Sequence, residues 1–243
     1  SQEPPDPENP LLSHPNVTLT PHLSVNTVES QREISGQATT NALTALRGDD
    51  FCRIVNLPFS VQRPYQAVKP YIHLASKLGK LQGQLAEGWI ERVEVELLGE
   101  GLRELIRPVA AVLLSGMIRS RNGTMVNWVS APMLAHEQGI VTAQVKGLVD
   151  QADYPNLIAC KICWQGGERT VAGVLFGNGE ARLVQYDEFE VDAAPEGDVL
   201  ILENDDVPGV IGKIGTRLGK AGINIAQWRY GRDYAGGHAV SFI

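Results

Sequence analysis

The sequence predicts an α+β fold, in which helices pack on one sheet and a smaller, partial ferredoxin-like βαββ module follows. Two observations indicate this class. The long central part has helical patterns followed by four strand-like runs, and the last part has the order strand, helix, strand, strand. The chain has 243 residues and is 43% apolar, which is enough apolar surface for one large core or two smaller ones.

Composition limits the partners. The chain has 21 Lys and Arg residues against 28 Asp and Glu residues, a net charge of −7, which argues against a nucleic acid or an anionic membrane as the main partner. The longest nearly apolar run, 108–118, is too short to cross a bilayer. Three cysteines do not make a disulfide framework, which predicts a cytoplasmic protein.

The first part, residues 1–50, is too small for a domain. An alternating, β-rich run at 16–20 predicts a strand that ends at Pro21. Asn26 or Thr27 is the expected cap of a helix that Gly48 ends. Because the chain starts at Ser and stops in an apolar, strand-like run, we expect it to be a piece of a longer protein.

The central part, residues 51–195, carries the main helix and strand patterns. Apolar residues at helical spacing predict helices at 64–85, 107–118 and 128–137. Alternating or continuous apolar runs predict strands at 90–97, 140–147, 157–164, 169–176 and 181–186. The helix at 107–118 is apolar nearly all round, so we expect it to be well buried.

The last part, residues 196–243, is the βαββ module. Strands are predicted at 199–202, 223–228 and 238–243, and a helix at 210–218 after the turn at 207–209. This order is the first half of a ferredoxin-like split unit, and the remaining helix and strand are not in the chain.

Two motifs that suggest metal or nucleotide sites have simpler interpretations. Cys160 and Cys163 lie three apart in an alternating run, so they point to opposite faces of a strand, and no second ligand pair accompanies them; no metal site is predicted. The run 177–179 precedes a strand rather than a helix, so it favours a hairpin turn over a dinucleotide loop. The glycines at 209–215 have the wrong spacing for such a loop and favour helix–sheet packing.

The remaining candidates are polar side chains at element ends. His22 follows the predicted strand, where an imidazole can reach a cleft and exchange protons near neutral pH, although a structural role is commoner. Asp206 precedes a helix N-terminus, where it either caps the helix or binds the ammonium group of a ligand. With Asn224 alongside, such a cluster can hold a zwitterion whose carboxylate meets backbone N–H groups.

Motifs over nearly the whole chain resemble the C-terminal portion of the long-form D-3-phosphoglycerate dehydrogenase family. Five segments resemble the end of the family's catalytic region: Glu3-Pro4-Pro5, Pro10-Leu11-Leu12, Pro15-Asn16-Val17, Thr20-Pro21-His22-Leu23 and Thr27-Val28-Glu29-Ser30-Gln31. Its intervening domain is resembled by Val55-Asn56-Leu57-Pro58, Leu74-Ala75-Ser76-Lys77-Leu78-Gly79 and Val126-Asn127-Trp128-Val129-Ser130-Ala131-Pro132. Its ACT domain is resembled by Asp206-Val207-Pro208-Gly209-Val210-Ile211-Gly212 and Gly222-Ile223-Asn224-Ile225-Ala226.

The resemblance implies that 1–50 ends a catalytic region, 51–195 is an intervening domain and 196–243 is a truncated ACT domain. It implies NAD-dependent oxidation of 3-phosphoglycerate in L-serine biosynthesis, with His22 as the acid–base residue. Leu23, Ser24 and Val25 match positions near the nicotinamide, where the family usually has Gly-Ala-Ser after His-Leu and this chain has Ser24-Val25-Asn26. The family's carboxylate, arginine and nucleotide loop lie upstream of this segment, so we expect the segment alone to be inactive.

The resemblance also implies regulation and assembly. Asn204, Asp206 and Asn224 match positions that line a serine site between two ACT domains, which implies a homo-oligomer through the ACT and intervening domains. Some family members bind an anion near the last intervening strand; here Arg182 is basic, but Glu190 and Asp192 repel a phosphate, so we expect no strong anion site. Two alternatives stay open: a non-catalytic module for amino-acid sensing and oligomerisation, and a related 2-hydroxyacid dehydrogenase.

Overall fold

The computed structural model describes residues 4–23, 25–47, 53–55, 65–123, 125–149, 154–177 and 179–243. The chain divides into two compact units, Ser1–Arg53 and Ile54–Ile243. Among the helices of the described ranges, none is long and apolar enough to cross a membrane.

The first unit consists of a short 3-10 helix, Pro10–Ser13, and helix α1, Val28–Arg47. Thr27 caps α1, as predicted, because its hydroxyl accepts a hydrogen bond from the Ser30 N–H at 3.1 Å. The predicted end of the helix at Gly48 lies outside the described residues.

The predicted strand at 16–20 is wrong. The residues after the 3-10 helix turn back on themselves instead: the Val17 N–H donates to the His14 carbonyl at 3.0 Å, and the Asn16 N–H donates to the His14 ring at 3.2 Å. A strand needs a neighbouring strand to satisfy its backbone, and the described part of this unit contains none. The alternating, β-rich pattern at 16–20 is therefore not sufficient on its own to predict a strand.

The second unit begins with the helices and the sheet of the intervening part. Its helices are α2, Tyr65–Leu85; α3, Ile106–Asn122; and α4, Ala131–Glu137. Helix α3 runs four residues past its predicted end and stops where Gly123 adopts a left-handed conformation, φ 64°. Helix α4 starts three residues late because the Asn127 side chain caps a turn there, accepting from the N–H groups of Val129 and Ser130 at 2.9 Å.

Six strands of the described ranges form one mixed sheet: β1, Ile90–Leu98; β2, Val141–Gln144; β3, Leu157–Trp164; β4, Gly167–Leu175; β5, Ala181–Tyr186; and β6, Phe189–Ala193. Their order in the sheet is β2-β1-β3-β4-β5-β6. Among these described strand pairs, β1–β2 is parallel and the others are antiparallel. The predicted hairpin is confirmed by its flanks, since β4 and β5 pair antiparallel and the Gly179 N–H donates to the Phe176 carbonyl at 2.8 Å; Asn178 of the turn lies outside the described residues.

Both faces of this sheet are covered. Helix α2 lies over β3 and β4 and helix α3 over β1, which buries the main core. A smaller cluster fills the opposite face: Leu157, Ala159, Ala172, Val174 and Val184. The buried carboxylate of Glu96 fixes a loop over that face, because it accepts hydrogen bonds from the N–H groups of Gly147 and Leu148 at 2.9 and 2.7 Å.

The C-terminal βαββ module is present as predicted in order. It consists of β7, Ile201–Asp205; α5, Val210–Lys220; β8, Arg229–Arg232; and β9, His238–Phe242. Its antiparallel sheet has the order β7-β9-β8. The chain is therefore α+β, with helices on a sheet followed by the first half of a ferredoxin-like unit.

Two predictions about this module are wrong. The second strand is not 223–228 but β8, because β9 pairs Phe242 with Arg229, and Ile243 exchanges hydrogen bonds with Leu200 instead. The glycines of α5 do not serve helix–sheet packing: a Cβ at Gly212 would meet nothing within 4 Å, and one at Gly215 would only touch Trp228 at 3.9 Å.

The βαββ module packs on the β5–β6 side of the large sheet. The Tyr186 ring meets the Phe242 ring edge-on with centroids 5.5 Å apart, and the Tyr186 hydroxyl donates to Glu203 at 3.0 Å. Gly231 of β8 comes so close to β6 that a Cβ would lie 2.7 Å from the Glu190 carbonyl oxygen. We call this contact the junction between the two parts.

Candidate functional site

His22 lies on an exposed loop of the first unit, before α1. Its φ of 58° places it in the left-handed region, which is uncommon for a non-glycine residue and is found at functional sites. Leu23 and Val25 are exposed beside it, and Ser24 lies outside the described residues. The imidazole is therefore accessible to a ligand, as its predicted role requires.

The loop that carries His22 is tied to α1. The Gln31 side chain of α1 donates to the Val25 carbonyl at 2.8 Å. A shallow depression beside the loop is lined by Asn26, Thr27, Val28, Gln31, Arg32 and Ser35. The side chains of Leu23 and Val25 are exposed, and neither residue lines this depression.

Asp206 lies at the end of β7, where donors from the β8–β9 hairpin surround its carboxylate. It accepts hydrogen bonds from the Tyr230 hydroxyl at 3.0 Å, Arg232 at 3.2 Å and the Gly236 N–H at 3.3 Å. These donors, the Gly236 N–H first, hold the pKa of Asp206 below its usual range. Asp206 does not cap α5, whose N-cap is Gly209 without a side-chain hydrogen bond, so the capping interpretation is wrong.

Asn204 joins the same cluster through a tyrosine. Its side-chain amide donates to the Asp205 carbonyl at 2.7 Å and to the Tyr230 hydroxyl at 3.4 Å. Its Oδ1 is buried and has no hydrogen-bond partner in the described part of the chain. Because this acceptor is buried, it is an unsatisfied polar atom of the cluster rather than an accessible ligand contact.

Asn224 is not brought to this cluster within one chain. Asp206 precedes α5 and Asn224 follows it, and the 11 residues of the helix span about 16 Å. Asn224 instead lines a groove of about 740 Å³ together with the segment 193–200 and the end of β9. The expected convergence of the three residues is therefore not found within one chain.

Arg182 is the basic residue considered for an anion site, and acidic side chains lie next to it. Its guanidinium contacts Glu180 at 2.5 Å and lies 3.6 Å from Asp192, which also faces Arg229 at 3.8 Å. Asp192 thus lies between two arginines, and its negative charge offsets theirs. That no strong anion site exists here stays a prediction.

Cys160 and Cys163 lie on β3, and neither forms a disulfide. Burial raises the pKa of the Cys160 thiol to about 12, which makes it a poor metal ligand and nucleophile. In the described ranges no three His, Cys, Asp or Glu side chains are grouped so that they can hold a metal ion.

The chain is similar to proteins of one family over most of its length. The D-3-phosphoglycerate dehydrogenase intervening domain matches residues 67–187, from α2 to the end of β5. Proteins called D-3-phosphoglycerate dehydrogenase are 34% identical over 235 residues in Synechocystis and 31% over 236 residues in Bacillus subtilis. The Archaeoglobus fulgidus protein of that name is 34% identical over 233 residues.

The chain belongs to the D-3-phosphoglycerate dehydrogenase family. These alignments cover 96%, 97% and 96% of the chain but only 42%, 45% and 44% of the three relatives. The chain thus spans less than half of their length and matches their C-terminal portion. The structure is consistent with this family, because the matched intervening domain is followed by the βαββ module.

Proposed function

We propose that the chain is the C-terminal part of an NAD-dependent oxidoreductase that oxidises 3-phosphoglycerate to 3-phosphohydroxypyruvate in L-serine biosynthesis. The observation that carries the proposal is similarity to D-3-phosphoglycerate dehydrogenases along 96% of the chain, with His22 exposed on its loop. The βαββ module is then a regulatory ACT domain, and the catalytic site is completed by residues outside this chain.

In this proposal His22 is the acid–base residue. The chemistry that a bound NAD would supply is that of a hydride acceptor for C2 of the substrate. The His22 imidazole takes the proton from the 2-hydroxyl as the carbonyl forms, a role typical of histidine. Leu23, Ser24 and Val25 are the residues of this chain that would hold the nicotinamide side of the cofactor.

The regulatory site in this proposal binds L-serine between two copies of the chain. Asp206, kept ionised by its donors, suits the ammonium group, and Asn204 belongs to the same cluster through Tyr230. The amide of Asn224 from the neighbouring copy supplies a donor to the carboxylate. Separation of Asn224 from Asp206 by the length of α5 supports a site shared by a homo-oligomer.

The first test is activity with and without the rest of the protein. We expect the full-length protein to reduce NAD with 3-phosphoglycerate and the 243-residue chain to show no turnover. NADH absorbance measures both. Full-length protein that oxidises only another 2-hydroxyacid would favour a related dehydrogenase, and no turnover combined with serine binding would favour a sensing module.

The second test concerns the effector site. Calorimetry of the chain with L-serine should give heat that weakens about tenfold in Asn224→Ala, the loss expected for one ligand hydrogen bond. Asn16→Ala is the control, because Asn16 is an exposed asparagine of the other unit. Equal affinity of Asn224→Ala and the unmodified chain would place the ligand elsewhere.

A further inference from the structure

A second cavity lies at the junction between the intervening domain and the βαββ module. It has a volume of about 540 Å³ and is bounded by α2 on one side and by the segment 194–197 with β7 and β9 on the other. Cavities of this size at domain boundaries are typical small-molecule sites. Asn204, Asp206 and Asn224 do not line it, so it is distinct from the serine site proposed above.

The floor of this junction cavity is apolar. Leu183 and Phe242 are each 3% exposed and belong to the main core, and Leu81 and Ile201 pack against that core. These four side chains come from α2, β5, β7 and β9, so both parts of the unit contribute to the floor. Such a floor favours the hydrocarbon part of a ligand and disfavours a small, fully hydrated ion.

The rim of the junction cavity carries an available positive charge. Lys77 is already paired with Glu196 at 2.7 Å, an ion pair that links α2 to the segment before β7. Lys80, one helical turn later, is exposed and makes no hydrogen bond or ion pair in the described part of the chain. Two lysines and one glutamate give the rim a charge of +1 in a chain of net charge −7.

We propose that the junction cavity binds a small carboxylate with an apolar body. The carboxylate pairs with Lys80 at the rim, and the body lies over Leu81, Leu183, Ile201 and Phe242. A free amino acid fits poorly, because its ammonium group would face two lysines and its charges would meet an apolar floor.

Binding there is expected to couple the two parts of the unit. The ligand would contact α2 and β5 of the intervening domain and β7 and β9 of the βαββ module at the same time. The Tyr186 hydroxyl already bonds to Glu203 across this junction, next to the cluster of Asn204 and Asp206. A ligand that binds only the packed junction therefore stabilises that arrangement by mass action.

Octanoate is a suitable probe, titrated into the 243-residue chain while the methyl NMR signals of leucine and isoleucine are followed. We expect saturable shifts at Leu81, Leu183 and Ile201. Lys80→Gln should weaken binding about fivefold and Lys80→Glu should weaken it further, since the first removes and the second reverses the rim charge. Octan-1-ol should bind the unmodified chain more weakly than octanoate does.

Lys213→Gln and Lys213→Glu are the matched controls, because Lys213 is exposed on α5 and does not line the cavity. They should bind octanoate like the unmodified chain. Three results each overturn the proposal: no saturable binding, equal affinity in Lys80→Glu, or shifts confined to the groove that contains Asn224. The proposal does not depend on dehydrogenase activity, so its failure leaves the proposed reaction untouched.

Discussion

Replacing His22 by alanine in the full-length protein is expected to lower the turnover of 3-phosphoglycerate by about 10²–10⁴-fold, with NAD affinity nearly unchanged. In the proposed reaction the imidazole takes the proton of the substrate hydroxyl, so its loss is expected to raise the barrier of the chemical step. Its position on an exposed loop gives it little part in folding. Steady-state kinetics and NAD titration of the purified variant measure the two quantities.

A second variant separates chemistry from backbone conformation. Because His22 has a φ of 58°, alanine there is strained, whereas asparagine tolerates the left-handed region. His22→Asn should therefore keep the loop and still lose turnover to a similar extent. His14→Ala is the control, since His14 is another exposed histidine of the same unit and should leave turnover within about twofold of the unmodified protein. Near-normal turnover in both His22 variants would exclude His22 as the acid–base residue.

The sequence predicted the elements whose apolar pattern is strong and whose ends carry turn residues. Helix α2 and strand β3 lie within one residue of their predicted bounds. Strand β6 was missed because β5 and β6 are joined by Asp187 and Glu188 without a glycine, and Asp187 itself adopts a φ of 49°. The Asp187 carboxylate accepts hydrogen bonds from Arg169 and from the Thr170 N–H, and these bonds hold the turn. Both donors lie on another strand, β4.

The candidate site also depends on contacts from another strand, which the local sequence does not reveal. Asp206 could be named from the sequence because it lies between a strand and a helix, and Asn204 because it matches a position of the family's serine site. Tyr230 and Arg232, which bond to Asp206, were missed because the strand before them was placed at 223–228. Strand register depends on the partner strand, here β9, and a local pattern does not contain that information.

Glycines at the α2–α3 contact are a further feature that sequence reasoning did not reveal. A Cβ on Gly79 would overlap the carbonyl oxygen of Leu113, and one on Gly83 would overlap the Met117 carbonyl oxygen and the Ser120 hydroxyl. From the other helix, a Cβ on Gly116 would lie 2.6 Å from the Ser76 carbonyl oxygen. The two helices therefore approach each other at backbone distance, and the glycines make this possible.

Gly79→Ala is consequently expected to lower the free energy of unfolding by about 2 kcal/mol, although alanine is the better helix former by about 1 kcal/mol. The added methyl meets backbone atoms of Leu113, which cannot rotate away, so α2 and α3 must separate and loosen the core beneath them. Urea unfolding of the chain, with the slope unchanged, measures the loss.

Gly212→Ala makes the same chemical change in α5, where a Cβ meets nothing within 4 Å. It should raise the free energy of unfolding by about 0.5–1 kcal/mol, because only helix propensity is left to act. The two variants are expected to change the free energy of unfolding in opposite directions. Together they therefore separate the effect of the α2–α3 contact from the effect of helix propensity. A Gly79→Ala chain as stable as Gly212→Ala would mean that α2 and α3 are not in backbone contact, and the layer that supports the junction cavity would then have to be rearranged.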